Sequence, residues 1–129
     1  MLLHLGDGWH DVDEVRRHFT DLPIEQVPGN CDFRATEPAV RVLMIGGKRV
    51  MLCHGHTLGV KYDYDRLIYA AMEKEADAVL FGHTHEPHVD IVRGIVVLNP
   101  GTIGSGYRPT YGTLTFVDDR IIPATHRLK

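Results

Sequence analysis

Apolar positions in this chain come in short runs, each closed by glycine, proline, asparagine or aspartate, the pattern of strands separated by turns. Leu2–Leu5 is the first such run, and Gly6-Asp7-Gly8 ends it. Val12, Val15 and Phe19 then fall at helical spacing. Asp11 and Glu14 stand where a capping box would place them, so a helix is predicted over about 12–19. Ile24–Val27 reads as a second strand, broken by Pro28-Gly29-Asn30. After a polar loop, Ala39–Ile45 and Arg49–Cys53 flank Gly46-Gly47, a hairpin signal. The second of these runs empties into His54-Gly55-His56. Asp63–Glu75 is the strongest helix, with Leu67, Ile68, Ala71 and Met72 on one face. Ala78–Phe81 is another strand, running into Gly82-His83-Thr84-His85. Val89–Val92 and Ile95–Leu98 pair about Arg93-Gly94. Asn99-Pro100-Gly101 opens a glycine-rich loop to Pro109, and Tyr111–Val117 and Ile121–Arg127 form a closing hairpin about Asp118-Asp119.

Strands alternate with helices early and form hairpins later. That order predicts an α/β layered domain: a mixed sheet, or two packed mixed β-sheets flanked by helices. At 129 residues the chain is expected to form a single domain over 1–129. Charge and composition remove several functions. A net charge of −3 with no basic face argues against nucleic-acid binding. No apolar run approaches the roughly 18 residues of a membrane span, and the N-terminus lacks the basic region and cleavage site of a signal peptide. Cys31 and Cys53 are far apart and outside any Cys-x-x-Cys, which suits a reducing cytoplasm.

The chemistry lies just beyond the carboxyl ends of the predicted strands, where open α/β sheets bind ligands. Asp7, Asn30, His54, His83 and His85 all fall there. Each alone has a plainer reading: a turn cap for Asp7, a turn residue for Asn30, surface histidines for the rest. Together they supply carboxylate and amide oxygens with imidazole nitrogens, a set that suits Mn²⁺, Fe²⁺, Zn²⁺ or Ni²⁺ better than Ca²⁺ or Mg²⁺. A carboxylate can bridge two cations about 3.5–4 Å apart that clamp a phosphate between them. Thiolates are not required. Asp32 reads as a loop-orienting residue, and Cys31 as either site-lining or inert. Trp9 reads as pocket-lining or as an exposed loop aromatic. His4, His10, His18, His88 and His126 read as surface or packing residues, Tyr62, Tyr64 and Tyr69 as core or interface, and Arg108 as a solvated loop arginine.

Four motifs, Gly6-Asp7, Gly29-Asn30-Cys31-Asp32, His54-Gly55-His56 and Gly82-His83-Thr84-His85, come in the order and approximate spacing of the calcineurin-like metallophosphoesterase superfamily. With Asn99-Pro100-Gly101 and the closing hairpin, the chain most resembles its small bacterial and archaeal phosphodiesterase branch, the YfcE-like proteins. The resemblance implies an α-β-β-α sandwich and in-line attack on small phosphate esters by a metal-bound hydroxide, with manganese the expected metal. It implies that Asp7 bridges two metals, that Asn30, His54 and His83 complete one site with it, that His85 serves the other, and that His56 lies near the phosphate. Cys31 replaces a histidine found in many phosphatases of the superfamily, which points to good leaving groups or protonation by solvent. The leading βα unit with its Asp-x-His, roughly 30 residues, is not seen before Leu2. One metal site is therefore expected to be complete and the other to keep only Asp7 and His85. The chain is expected to self-associate over an uncovered edge, to be less stable, or to come from a longer gene product. A single well-bound metal and weak hydrolysis follow. The alternatives are a catalytically inactive scaffold on the same fold, as in the retromer subunit that resembles these enzymes, and a single-metal hydrolase of another class.

Overall fold

The structure, a computed structural model, describes residues 1–32, 38–104 and 108–128. Part of the polar loop before Ala39 and part of the glycine-rich loop before Pro109 lie outside the described residues. The elements are β1 (Leu2–His4), α1 (Asp11–His18), β2 (Ile24–Gln26), β3 (Val40–Ile45), β4 (Lys48–Cys53), a 3-10 turn (His56–Leu58), α2 (Asp65–Glu73), β5 (Ala78–Leu80), β6 (His88–Val92), β7 (Ile95–Asn99), β8 (Thr110–Val117) and β9 (Arg120–Arg127).

A five-stranded mixed sheet, in the order β3-β4-β5-β7-β6, is the backbone of the fold. Its central strands β4, β5 and β7 run parallel to one another, and the hairpin partners β3 and β6 are antiparallel at the edges. The three central strands are buried on both faces, which is why they read as near-continuous apolar runs. Met51, Cys53, Val79 and Val97 face α2, packing against Leu67, Ile68 and Ala71. Val50, Leu52, Ala78, Leu80, Val96 and Leu98 face the opposite way, onto Leu5 and Val27 beyond the ends of β1 and β2 and onto Leu114, Phe116 and Ile121 of β8 and β9. The expected layering is present. The second β layer is built from a parallel pair, β1-β2, and an antiparallel pair, β8-β9.

The β3–β4 hairpin forms at Gly46-Gly47, both at positive φ (57° and 78°), as a two-residue loop with the twist of its strands requires. Two expectations for the helices are corrected. Asp11 is not the N-cap of α1: that position is His10, with no side-chain cap, because Asp11 N–H already donates to the Gly8 carbonyl at 3.0 Å. The capping box does not form, although Asp11, Asp13 and Glu14 still favour the positive end of the helix. Met72, expected on the buried face of α2, is 41% exposed. This helix starts two residues later than its apolar pattern suggests, and only Leu67, Ile68 and Ala71 reach the core. It ends with Ala76 N–H donating to Ala71 O and Glu75 N–H to Met72 O, a Schellman closure with Glu75 at φ 54° where glycine is usual.

Because β1 and β2 are parallel, and β4, β5 and β7 are too, the segments leaving their carboxyl ends can meet. They do: Val27 N–H donates to His4 O at 3.1 Å, Gly82 N–H to His54 O at 3.0 Å, and the His54 imidazole reaches Leu5 O.

Candidate metal centre

The hub of the site is His54, which leaves β4 and is 2% exposed. Its Nδ1 lies 2.7 Å from the Leu5 carbonyl oxygen. A carbonyl only accepts, so Nδ1 carries the proton and donates. Burial pulls the His54 pKa down, against the Leu5 hydrogen bond and the Asp7 charge that raise it. A neutral ring with its proton on Nδ1 has a bare lone pair on Nε2. Three atoms crowd that lone pair: Asn30 Oδ1 at 3.0 Å, His83 Nδ1 at 3.0 Å and Asp7 Oδ2 at 3.3 Å. The His54–Asp7 approach has the length of an ion pair, but the lowered pKa argues against a protonated imidazole, and the closeness is that of two ligand atoms.

Asn30 Oδ1 and Asp7 Oδ2 only accept, and two such oxygens beside a bare lone pair favour a positive charge among them. Metal–nitrogen and metal–oxygen bonds of about 2.0–2.2 Å put ligand atoms roughly 3.0–3.5 Å apart, and the three distances from Nε2 fall in that span. Among the described residues no three His, Cys, Asp or Glu side chains by themselves form a metal-holding group. Asn30 adds an amide oxygen to the candidate donors around His54 Nε2. The Nδ1–H to carbonyl bond is the outer-shell contact that orients a metal-ligating histidine.

Each side chain is placed by local chain geometry. Asp7 sits at φ 59°, between Gly6 at φ 106° and Gly8 at φ 117°. Its Oδ1 accepts the Cys31 N–H at 2.9 Å, which turns Oδ2 toward His54. Asp32 holds the loop from beneath. Its carboxylate accepts N–H bonds from Asp7 (2.7 Å), Gly8 (3.1 Å), Trp9 (3.1 Å) and Gly29 (2.8 Å). Burial alone would raise the Asp32 pKa, but these four donors together bring it below its usual 3.8. The glycines make room: a Cβ on Gly29 would collide with the Asp7 carboxylate, and one on Gly6 would lie 2.8 Å from the Gly29 backbone.

His83 is at φ 67° and His85 at φ 62°. Asn99, fully buried at the end of β7, clamps the loop that carries them. Its Nδ2 donates to Gly82 O at 3.1 Å and to Thr84 Oγ1 at 2.9 Å, and its Oδ1 accepts Gly101 N–H at 2.9 Å. Burial, then the charges of His54, Lys61 and His56, lower the His83 pKa and favour the neutral, ligating form. His56 completes a three-ring cluster, its centroid 5.5 Å from that of His54 and 6.2 Å from that of His83. Its Nδ1 is buried and has no hydrogen-bond partner among the described residues. His85 is exposed and stands outside the ring contacts of the cluster.

Asp7, Asn30, His54 and His83 thus come together, with His56 beside them and His85 apart. Cys53 is buried, its thiol pushed up to about 12 by desolvation, and takes no part. Cys31 is exposed and contributes its backbone N–H. His10, His18 and His126 are exposed, as is Arg108. His4 is half-buried beside the Gly6 N–H. Of the tyrosines, only Tyr64 packs inward, edge-on to Phe81 with centroids 5.1 Å apart. Tyr62 and Tyr69, expected in the core or an interface, are 92% and 62% exposed. Lys61, whose charge reaches both His83 and Cys31, was not anticipated. No helix among the described residues is long and apolar enough to cross a membrane.

Residues 1–119 match the model of the calcineurin-like phosphoesterase superfamily domain. The chain is 33% identical over 103 residues to the probable metallophosphoesterase YsnB of Bacillus subtilis, covering 80% of this chain and 59% of that protein. It therefore spans about three fifths of that relative's length. A predicted phosphoesterase of Streptococcus pneumoniae superposes with a TM-score of 0.78 at 25% identity, over 97% of this chain and 88% of that one. A Vps29 double mutant from Entamoeba histolytica shares the fold with a TM-score of 0.76 at 22% identity, over 98% of this chain and 81% of that one. The match over residues 1–119, on a chain folded into this sandwich, places it in the calcineurin-like phosphoesterase superfamily.

Proposed function

We propose that this chain is a metal-dependent phosphoesterase acting on small phosphodiesters, in which Asp7, Asn30, His54 and His83 hold one divalent cation, manganese first among candidates. A second site would keep only Asp7 and His85 and would hold a further cation weakly. The observation that supports this reading is the convergence of Asn30 Oδ1, His83 Nδ1 and Asp7 Oδ2 within 3.0–3.3 Å of His54 Nε2. A cation held there would supply Lewis-acid chemistry for phosphate ester hydrolysis. The chain's own groups do the rest. The Leu5 carbonyl keeps the His54 proton on Nδ1, so Nε2 stays free to ligate. One carboxylate among neutral donors leaves net positive charge for a phosphate to meet. His56, its ring centroid 5.5 Å from that of His54, would lie near a bound phosphate. Cys31 occupies the place of a proton donor without an imidazole, so solvent protonates the leaving group and activated esters react best.

Calorimetric titration with Mn²⁺ and hydrolysis of bis-p-nitrophenyl phosphate test the reading together. One equivalent of Mn²⁺ and Mn²⁺-dependent turnover are expected, and His54→Ala removes both. Mn²⁺ uptake no greater than that of His54→Ala would overturn it. A second reading, an inactive scaffold on the same fold, is favoured by the exposure of His85 away from the cluster. Its test is the same assay on a chain extended by a strand–helix unit bearing Asp-x-His. Absence of turnover there as well supports the scaffold, and turnover only there supports an enzyme that needs those ligands.

A further inference from the structure

Between the 3-10 turn and α2 the chain leaves an open cleft of about 410 Å³, whose walls include Lys61, Tyr62, Asp63, Tyr64, Thr84 and Glu86. It adjoins the candidate metal centre directly, because Thr84 lies between His83 and His85 and is held in place by Asn99. Lys61 lies on the wall it shares with Thr84, the residue next to His83 in the chain. Lys61 is exposed and makes no ion pair among the described residues, so its ammonium is free for an anion. Asp63 and Glu86, both exposed, supply acceptors elsewhere on the rim.

Two tyrosines stand along the same cleft. Tyr64 is fixed, edge-on to Phe81 and 5.0 Å from the His88 ring. Tyr62 is 92% exposed, although its backbone is ordered: its N–H donates to Gly59 O at 3.0 Å, and Asp63 N–H reaches the same carbonyl at 3.3 Å. A ring held almost wholly in water beside a phosphate-sized cluster forgoes its own burial, and an aromatic face of that kind is a stacking platform.

We propose that this cleft is the ester-group subsite, and that it selects phosphate esters whose leaving group is a planar aromatic or heteroaromatic ring. Lys61 meets a phosphoryl oxygen, Tyr62 stacks on the ring, and Asp63 and Glu86 accept from N–H or O–H groups at its edge. This inference rests on the phosphoesterase reading above, and it names the class of ester that the centre takes.

The test uses two non-hydrolysable probes, phenylphosphonate and methylphosphonate, titrated by calorimetry into the Mn²⁺-loaded chain. Phenylphosphonate is expected to bind about three- to tenfold tighter, the range of one aromatic contact. Tyr62→Ala brings phenylphosphonate down to the methylphosphonate level, and Tyr69→Ala, an exposed ring outside the cleft, retains the preference. Lys61→Met weakens both probes about tenfold, as loss of a charge-assisted contact does. Equal affinity for the two probes, or an undiminished preference in Tyr62→Ala, overturns the subsite while leaving the phosphoesterase reading in place. Failure to take up Mn²⁺ overturns that reading and the subsite with it.

Discussion

The buried Asn99 amide donates to the Thr84 hydroxyl across 2.9 Å, tying the end of β7 to the midpoint of the histidine loop. The same side chain also holds Gly82 O and Gly101 N–H. Asn99→Ala leaves these buried groups without their partner, at a cost of about 1–3 kcal/mol for each group stranded from water. The larger effect expected is on the metal. Once the clamp is gone, His83 is no longer held in its left-handed conformation, and Mn²⁺ affinity falls on the order of 10- to 100-fold. Thr84→Val breaks only one of the three bonds and sits between wild type and Asn99→Ala. Thermal melts with and without Mn²⁺ separate the two effects. A lowered melting temperature with an undiminished Mn²⁺-induced rise would show that Asn99 supports the fold alone.

Asp32 makes a sharper case, because one carboxylate satisfies four N–H groups of two loops. Asp32→Ala strands donors from residues 7, 8, 9 and 29 at once. A loss of at least about 3 kcal/mol in urea unfolding is expected, since hydrogen bonds to charged groups contribute about 1.5–3 kcal/mol each and solvent recovers part. Asp32→Asn keeps the shape but has a single oxygen, so an intermediate loss is expected. Equal stability of Asp32→Asn and wild type would show that charge and the second oxygen contribute little.

Gly29 faces Asp7 with no space for a side chain. Gly29→Ala pushes the Asp7 carboxylate away from the cluster. The expectation is a folded protein in which the Mn²⁺-induced rise in melting temperature is reduced or lost. Circular dichroism and a Mn²⁺ titration of the same sample read the two properties separately.

The metal-free chain should lose stability toward mildly acid pH. His4, His54 and His83 all have pKa values lowered from 6.5, burial being the first cause in each. An unfolded chain therefore binds more protons than the folded one between the lowered values and 6.5, and stability rises with pH across that window. It is fully present above 6.5 and falls as pH drops through the folded-state values. Asp32 adds a second loss at lower pH, since its carboxylate pKa is below 3.8 when folded. Urea midpoints at pH 7.5 and pH 5.5 check the first window, and a midpoint that rises on acidification would contradict it.

The motif loops were legible because glycine marks them. Gly6, Gly29, Gly55 and Gly82 each sit where the backbone or a neighbouring side chain comes close, and the ligand candidates stand next to them. The apolar runs of β4, β5 and β7 were legible for a related reason, burial on both faces. Lys61 and Tyr62 were not. They stand just before the helix read over Asp63–Glu75 and carry no motif, whereas α2 begins only at Asp65, and the segment ahead of it lines a cleft. The capping box at Asp11 failed similarly, because Gly8 lets its carbonyl turn back to take the Asp11 N–H. The family resemblance assigned His83 and His85 to different metal sites. The left-handed residues at 83 and 85 spoil simple alternation, and the two side chains part company.

Among the described residues, seven non-glycine residues have positive φ, and four of them serve a helix end or hairpin turns: Glu75, Arg93, Asp118 and Asp119. The other three are Asp7, His83 and His85. A left-handed backbone costs a residue with a Cβ about 1–2 kcal/mol that glycine avoids. A chain selected only to fold would be better off with glycine at all three positions. The side chains present there are a standing sacrifice of stability, made in the two loops that border His54.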